Sequence, residues 1–482
     1  MSIFVEQESV TKSNTHAIVI GASIAGLLAA RVLVNHFEKV TIIERDCLPQ
    51  EPQPRPGVPQ SSHVHALLTR GEQILEELFP GIGDQLSVAG APTVDWIRDW
   101  SIFGPLGQAP RFDSGLVGHA TSRILLEWLI RKRLSDYDNL QILDQSQLIE
   151  FLANKDKSKI TGIKLRSRAK TGQATHFQTR KLDADLVIDA SGRKSSLPKH
   201  LAALGYQPPQ KSVVNPFLSY ATRWYQPPGN FQADWCGLSM LAHPLDSTRL
   251  GNIYVVEGNR WIVTLGGIGK DEPPKNEAGF MEFARNLRSS AIYDAIKEAK
   301  PLTPIYSYRG IENRLYHYEK LSSFPEGLVV LGDAACAFNP VYAQGMTLAG
   351  LGALTLDKCL RQQFINGSRN ITGLGKRFQK RLAKVNRMSW LMVTGEDLRW
   401  STTKGGKLNM MARLMHRYID GVMTLAFENP KIFQTLMEVD HMVRPIGAIF
   451  YPKIALRVLR QLLTIKQFSK QLSKEILAEV KP

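Results

Sequence analysis

The chain has 482 residues, 43% hydrophobic and 22% charged, which makes it too long for one simple core and too apolar for extended disorder. Its formal charge of +16 is concentrated at one end: residues 358–482 hold 23 Lys+Arg against 8 Asp+Glu. No zinc-finger, RNP or KH signature accompanies that basic end, which sets nucleic acid aside, and no apolar window reaches the roughly 18 clean residues of a membrane span.

The first residues, MSIFVEQESVTK, lack the basic and apolar regions of a secretory signal. Cys47, Cys236, Cys336 and Cys359 form no CxxC pair, which fits free thiols in a reducing compartment such as the cytoplasm. HAIVIGASIAGLLAARVLVNHFEKVTIIERD, residues 16–46, reads as strand, glycine turn, helix, strand. Gly21 allows the tight turn and Gly26 a close helix–sheet approach, while the helix start offers N–H groups to a pyrophosphate. Ser23 stands where such a loop has its middle glycine; its hydroxyl can turn aside or donate to a phosphate oxygen. Glu44, 23 residues after Gly21, is placed to bind ribose hydroxyls.

PQEPQPRPGVPQSSHVHALL is too proline-rich for a helix or central strand and reads as a fixed loop beyond the second strand, where α/β sheets hold ligands. His63 and His65 have HxH spacing, but no third ligand stands near, so both read as hydrogen-bonding groups and no metal is expected. In VGHATSRILLEWLIRKRL, Ile124, Leu125, Trp128, Leu129 and Leu134 recur at helical spacing, with Thr121 or Ser122 as N-cap. Arg123 opens that helix against its dipole, so it is either solvated or faces an anion. Strand-like runs follow to DLVIDASG, and residues 214–270 read as a separate, mainly antiparallel layer.

PEGLVVLGDAACAFNPVYAQGMTLAGLGALTLDKCL predicts a buried strand ending at Asp333 and a helix entered through Gly345. The aspartate can bind a polyol, and the helix start can stabilise negative charge on a ring carbonyl. A flavin dinucleotide has both features, whereas a nicotinamide lacks the polyol. Further on, Lys376, Lys380, Lys384 and Arg387 fall on neighbouring helical turns, and YPKIALRVLRQLLTIKQFSKQL repeats the pattern. A solvated basic face is the commoner explanation, with an anionic membrane surface or acidic ligand as the alternative.

GASIAG…IIERD, DASGRKSS and GDAACAFNPVYAQGM together resemble the FAD-dependent monooxygenases of the p-hydroxybenzoate hydroxylase-like superfamily, over roughly residues 15–360. RPGVPQSSHVHALL and FPEGLVVLGDAACAFNPVYAQGMTLA are most similar to the polyether-antibiotic epoxidase branch, and more distantly to squalene epoxidase. The resemblance implies an α/β (α+β) fold: a Rossmann-like FAD-binding domain at 15–205 and 319–365, an inserted antiparallel β substrate domain at 206–318, and a basic helical region at 366–482. It implies that Gly21, Ala22, Ser23, Ala25 and Gly26 hold the FAD pyrophosphate and that Glu44 and Arg45 hold the adenosine end. Arg123 would supply the anion contact, Asp333 would bind the ribityl and phosphate region, and Gly345 and Met346 would lie against the flavin ring. No catalytic side chain is named.

Electrons would come from NAD(P)H, and a flavin hydroperoxide formed with dioxygen would epoxidise or hydroxylate an apolar unsaturated molecule in specialised metabolism. The second motif departs from the family pattern: Ser191 and Pro198 stand for its aspartate and arginine, in a segment associated with nicotinamide use. A reductase or dehydrogenase of a polyisoprenoid, or a non-enzymatic lipid carrier, would use the same fold. A halogenase of the related kind would carry a WxWxIP segment, which the chain lacks.

Overall fold

A computed structural model describes residues 15–171, 174–244, 246–365, 370–461 and 463. β1 (His16–Ile20), β2 (Lys39–Ile43), β7 (Leu140–Leu143), β11 (Leu186–Asp189) and β18 (Leu328–Val330) pair in parallel in the order β18-β11-β1-β2-β7. All but β7 are short Val/Ile/Leu-rich runs buried along nearly their whole length, the pattern of a sheet covered on both faces. Because the strands share one direction, the loops after β1, β2, β11 and β18 gather at one carboxyl edge.

α1 (Ile24–Leu33) follows β1 and packs beside α8 (Gly345–Gln363) over this sheet. Gly21 has φ +103°, which a side chain would strain, and a Cβ on Gly26 would stand 1.8 Å from the Gly21 carbonyl oxygen. The two glycines therefore let helix and strand touch through backbone. α2 (Thr69–Leu78), α3 (Ile82–Val88), α4 (Arg123–Leu134) and α5 (Leu197–Ala203) complete the helices of this half. β8 (Ser146–Ala153), β9 (Ile160–Thr171) and β10 (Ala174–Asp183) form an antiparallel meander, and β3 (Thr93–Asp95) pairs with β6 (Val117–His119).

The second layer is a mostly antiparallel sheet of β4 (Trp100–Gly104), β5 (Gly107–Gln108), β12 (Lys211–Gln226), β13 (Gly237–Met240), β14 (Arg249–Val256), β15 (Arg260–Gly267), β16 (Lys300–Pro301), β17 (Tyr306–Tyr316) and β19 (Cys336–Ala337). β4 lies parallel to β13, so this sheet recruits chain from before residue 206 and, through β19, from after 318. α6 (Glu277–Arg285) and α7 (Ala291–Ile296) close one face by packing Phe280, Phe283 and Ile292 on Trp261, Val263 and Leu265.

α9 (Leu374–Asp397) lies against α8 and β18, and α10 (Met410–Glu428) and α11 (Pro430–Asp440) bury Val422, Ala426, Ile432 and Phe433 with Ile97 and Ala109. Over 452–461, Ile454 and Val458 are buried while Lys453, Leu456, Arg457 and Leu459 are exposed. The rest of that basic segment, from 464, lies outside the described residues. Among the described residues no helix is long and apolar enough to cross a membrane.

The Gly21–Gly26 contact is rigid backbone on one side. Gly26→Ala is expected to destabilise the chain by about 1–3 kcal/mol, the usual cost of overpacking, read as a lowered melting temperature.

Candidate functional site

The loops at the carboxyl edge enclose a cleft of ≈ 380 Å³ between the two layers. Gly21, Ser23, Ala25, Glu44, Arg45, Arg123, Asp333, Gly345 and Met346 all line it. Ala22 and Gly26 lie behind its wall: Ala22 is buried and donates its N–H to Glu44 Oε2 at 2.9 Å, and Gly26 serves the packing just described. Arg45 is exposed at the rim.

Around the nucleotide loop, charge is tightly paired. Arg55, from the proline-rich segment, is buried and reaches Glu127 Oε1 at 2.9 Å, Asp46 Oδ2 at 2.8 Å, Glu44 Oε2 at 3.2 Å and the Ala22 carbonyl at 3.1 Å. Ser23 begins α1 in an extended conformation but does not cap it. Its hydroxyl instead donates to Glu127 Oε2 at 3.0 Å and accepts from Arg123 at 2.8 Å. Of the two options open to this serine, it takes the first: it turns aside into the Arg/Glu cluster and leaves the first-turn N–H groups of α1 without a side-chain cap.

Arg123, at the first turn of α4 after the Ser122 N-cap, is buried and pairs with Glu127 one turn on, at 3.1 Å. The anion it faces in this structure is thus a carboxylate of its own helix. Its Nε is buried without a partner. Burial pushes the Glu127 carboxyl up, but the Arg123 and Arg55 guanidiniums outweigh it and hold the group below the ordinary range.

Glu44 also accepts from the Asp46 N–H at 3.0 Å, so three protein donors occupy its oxygens. A carboxylate has about four lone-pair sites, which leaves room for one hydroxyl from the cleft.

At the other end, Gly332 has φ +62°, and a Cβ there would stand 2.6 Å from the Ala25 Cβ, so the turn after β18 presses against the first turn of α1. Asp333 projects from that turn and pairs with Arg193 Nε at 3.4 Å. Arg193 also donates to the Glu312 and Phe338 carbonyls. Asp189, at the end of β11, accepts from Ser191 N–H at 3.0 Å and from the Ser191 and Ser195 hydroxyls at 2.5 Å each, which fixes the turn where the family's second motif departs.

α8 begins at Gly345 without a side-chain cap, and a Cβ on Gly345 would meet nothing within 4 Å. The approach to it runs through Asn339, whose amide donates to Asp397 at 3.1 Å and whose N–H donates to Asn313 at 2.6 Å. Asn313 and Tyr342 donate to the same carboxylate at 2.6 and 2.8 Å. Asp397, the last residue of α9, is completely buried, and burial raises it to about 6 against those hydrogen bonds.

His63 and His65 behave as hydrogen-bonding groups. His63 Nδ1 meets Thr222 Oγ1 at 2.6 Å and His65 Nδ1 meets the His63 carbonyl at 3.0 Å; burial lowers them to about 4 and about 3, so both are neutral near pH 7. Among the described residues no group of three metal-binding side chains occurs. The His63 ring lies 5.6 Å from Tyr220 and 5.9 Å from Tyr308, and these rings with Ile311 and Phe338 make the apolar wall of the cleft.

These features fit a flavin dinucleotide. Two uncapped helix starts and the unpartnered Arg123 Nε suit a pyrophosphate and a ring carbonyl, while Glu44 and Asp333 suit a ribose and a polyol. Open space at Gly345 leaves room for a ring.

No protein-family model matches the chain. Protein Rv3254 of Mycobacterium tuberculosis is 32% identical over 387 residues, covering 80% of both chains. This chain belongs to the Rv3254 family. The fold of this chain is seen in solved structures of low identity. A flavoprotein/dehydrogenase from Cytophaga hutchinsonii is 16% identical with a TM-score of 0.63, over 95% of this chain and 99% of that one. The flavin-dependent brominase Bmp2 is 13% identical with a TM-score of 0.62, over 95% and 100%. PqsL of Pseudomonas aeruginosa, a probable FAD-dependent monooxygenase, is 14% identical with a TM-score of 0.57, over 80% and 98%. The architecture is therefore the mixed α/β fold of FAD-dependent monooxygenases and halogenases.

Two expectations follow. Arg55→Met would leave Glu44 and Asp46 without their cation and Glu127 with Arg123 alone, a loss of about 3–5 kcal/mol. Because the arginines depress Glu127, their stabilisation is present above its unfolded value of about 4.5 and fades as pH falls below it. The melting-temperature deficit of Arg55→Met is therefore expected to hold down to about pH 4.5 and to shrink below it. Asp397 has the opposite sign. A raised carboxyl contributes stability that is complete below about pH 3.8 and lost as pH rises through about 6. Asp397→Asn cannot ionise, so its melting temperature is expected to gain on the wild type as pH rises from about 3.8 to about 6.

Proposed function

We propose that this chain is an FAD-dependent monooxygenase that places one atom of dioxygen on an apolar, unsaturated small molecule, by epoxidation or hydroxylation. One observation carries the reading: a single cleft receives both uncapped helix starts, one beside Glu44 and one beside Asp333, and continues into the wall of Tyr220, Tyr308, Ile311 and Phe338. When bound and reduced, FAD would supply the oxygen transfer itself.

The residues divide the remaining work. The α1 N–H groups with Arg123 hold the pyrophosphate, Glu44 a ribose hydroxyl at its free lone pair, and Asp333 the ribityl chain, with Arg193 fixing its carboxylate. The α8 N–H groups would stabilise negative charge on the ring carbonyl of a bound flavin. The aromatic wall orients an apolar substrate and excludes water, and neutral His63 and His65 add no charge to it. NAD(P)H is the proposed electron source, reaching the site directly or through a separate reductase. In domain terms, 15–205 with 319–365 would hold the cofactor, and 206–318 would supply most of the substrate wall. The polyether-epoxidase motifs favour oxygen transfer over halogenation, as does the missing WxWxIP segment.

Purified protein is expected to be yellow, with about one FAD per chain. Glu44→Ala and Asp333→Ala are each expected to weaken FAD binding by roughly ten- to hundredfold, as loss of a hydrogen bond to a charged group does, measured by titration of the apoprotein. Turnover of an acyclic polyene under labelled dioxygen should place the label in product. Substrate reduction without oxygen uptake would replace this reading with the reductase.

A further inference from the structure

The apolar surface and the basic surplus of the C-terminal helices meet on one face. The first two turns of α10 are uncovered: Met410 is 79%, Met411 69%, Leu414 52% and Met415 38% exposed. The second half of the same helix is buried through Val422 and Ala426. One helix thus carries a packed half and a bare apolar half. α10 approaches the end of α9 where a Cβ on Gly395 would stand 3.5 Å from His416 Nε2, and Arg399, two residues beyond α9, pairs with Asp420 on the next turn of α10 at 2.9 Å. One and two turns back from Gly395, on the same face of α9, lie Leu391 and Met388, 54% and 47% exposed.

Large exposed side chains gathered in this way mark an interaction surface rather than ordinary scatter. The rim decides its partner. Arg413 and Arg417 are exposed on α10, Lys407 just before it, and α9 presents Arg387, Lys384, Lys380 and Lys376 as one exposed stripe that runs into Met388 and Leu391. The acidic groups nearest the junction, Glu396 and Asp420, are both engaged by Arg399. A second copy of the chain would bring two basic rims together, and a nucleic acid has no use for four bare methionine and leucine side chains.

We propose that this face docks on an anionic lipid bilayer: Met410, Met411, Leu414 and Met415 enter the headgroup–acyl boundary while the lysines and arginines of the rim lie at phosphate level. The α9 stripe supplies attraction along the surface and the start of α10 supplies the insertion, so the two contributions are separable. No residue of the cleft belongs to this face, and the docking and the flavin reading fail independently.

The test uses the full chain, sedimented with vesicles of phosphatidylcholine alone or with added phosphatidylglycerol, at low and high salt. The wild type is expected on the anionic vesicles and to leave them as salt rises, since charges are screened beyond about 10 Å at 0.1 M. Met411→Ser with Leu414→Ser is expected to lower the partition coefficient by about tenfold, the loss that removing interfacial apolar area brings. Lys380→Glu with Lys384→Glu should remove the preference for anionic over neutral vesicles. All these positions are exposed, so unchanged melting temperatures confirm folding. Failure of the wild type to bind anionic vesicles at low salt would overturn the proposal, as would equal partition of wild type and Met411→Ser/Leu414→Ser. Self-association of the wild type that the serine pair abolishes, without vesicle binding, would give the face to a second copy instead.

Discussion

The arrangement of the cleft depends on one guanidinium. Arg55 is buried within reach of three carboxylates and a backbone carbonyl that come from four separate places: the end of β2, the turn beyond it, the nucleotide loop and α4. A buried charge surrounded in this way is stable only while its partners remain in position. The same requirement runs the other way, since Glu44, Asp46 and Glu127 would repel one another without it. The cluster therefore fixes where the nucleotide loop stands relative to α4, and Ser23 is part of it. A glycine at 23 would leave both Glu127 and Arg123 without the hydroxyl that joins them.

The far end of the cleft has a different anchor. Asp397 gathers Asn313 from β17, Asn339 and Tyr342, and so sets the path by which the chain enters α8. Here the partners are neutral donors and the acceptor is an acid raised to about 6, which makes this end responsive to pH where the Arg55 end is not over the same range. The helical C-terminal region, through the last residue of α9, is thus part of the site's frame and not an appendage to it.

Much of this was legible in the sequence where the signal is local. The βαβ unit, Glu44, the Ser122 cap and the strand before Asp333 rest on periodicity, glycine placement and capping over a few residues; the first three stand where the pattern predicts, while that strand ends at Val330 and Asp333 stands in the turn beyond it. Arg55, Arg193 and Asp397 were not legible, because what makes them matter is contact at long range: Arg55 meets Glu127 72 residues away, and Asp397 meets Asn313 at a separation of 84. Glu127 was within reach of sequence reasoning, since a carboxylate four residues after Arg123 is an ordinary helical ion pair. The parallel pairing of β4 with β13 was hidden for a similar reason, as two short strands 137 residues apart carry no local mark of each other.

The proline-rich loop is held at both ends. Arg55 ties it to the nucleotide layer, and seven residues later the Ser62 carbonyl accepts from Trp224 at 2.9 Å while His63 meets Thr222, both on the second sheet. Between the two ties stand Pro56 and Pro59, each with one backbone dihedral fixed by its ring. A segment so short and stiff behaves as a strut. It sets the gap between the layers when the chain folds, before anything binds, so the cleft does not have to close around its guest. Little conformational entropy then remains to be lost on binding, and selection falls on the outline of the molecule that enters.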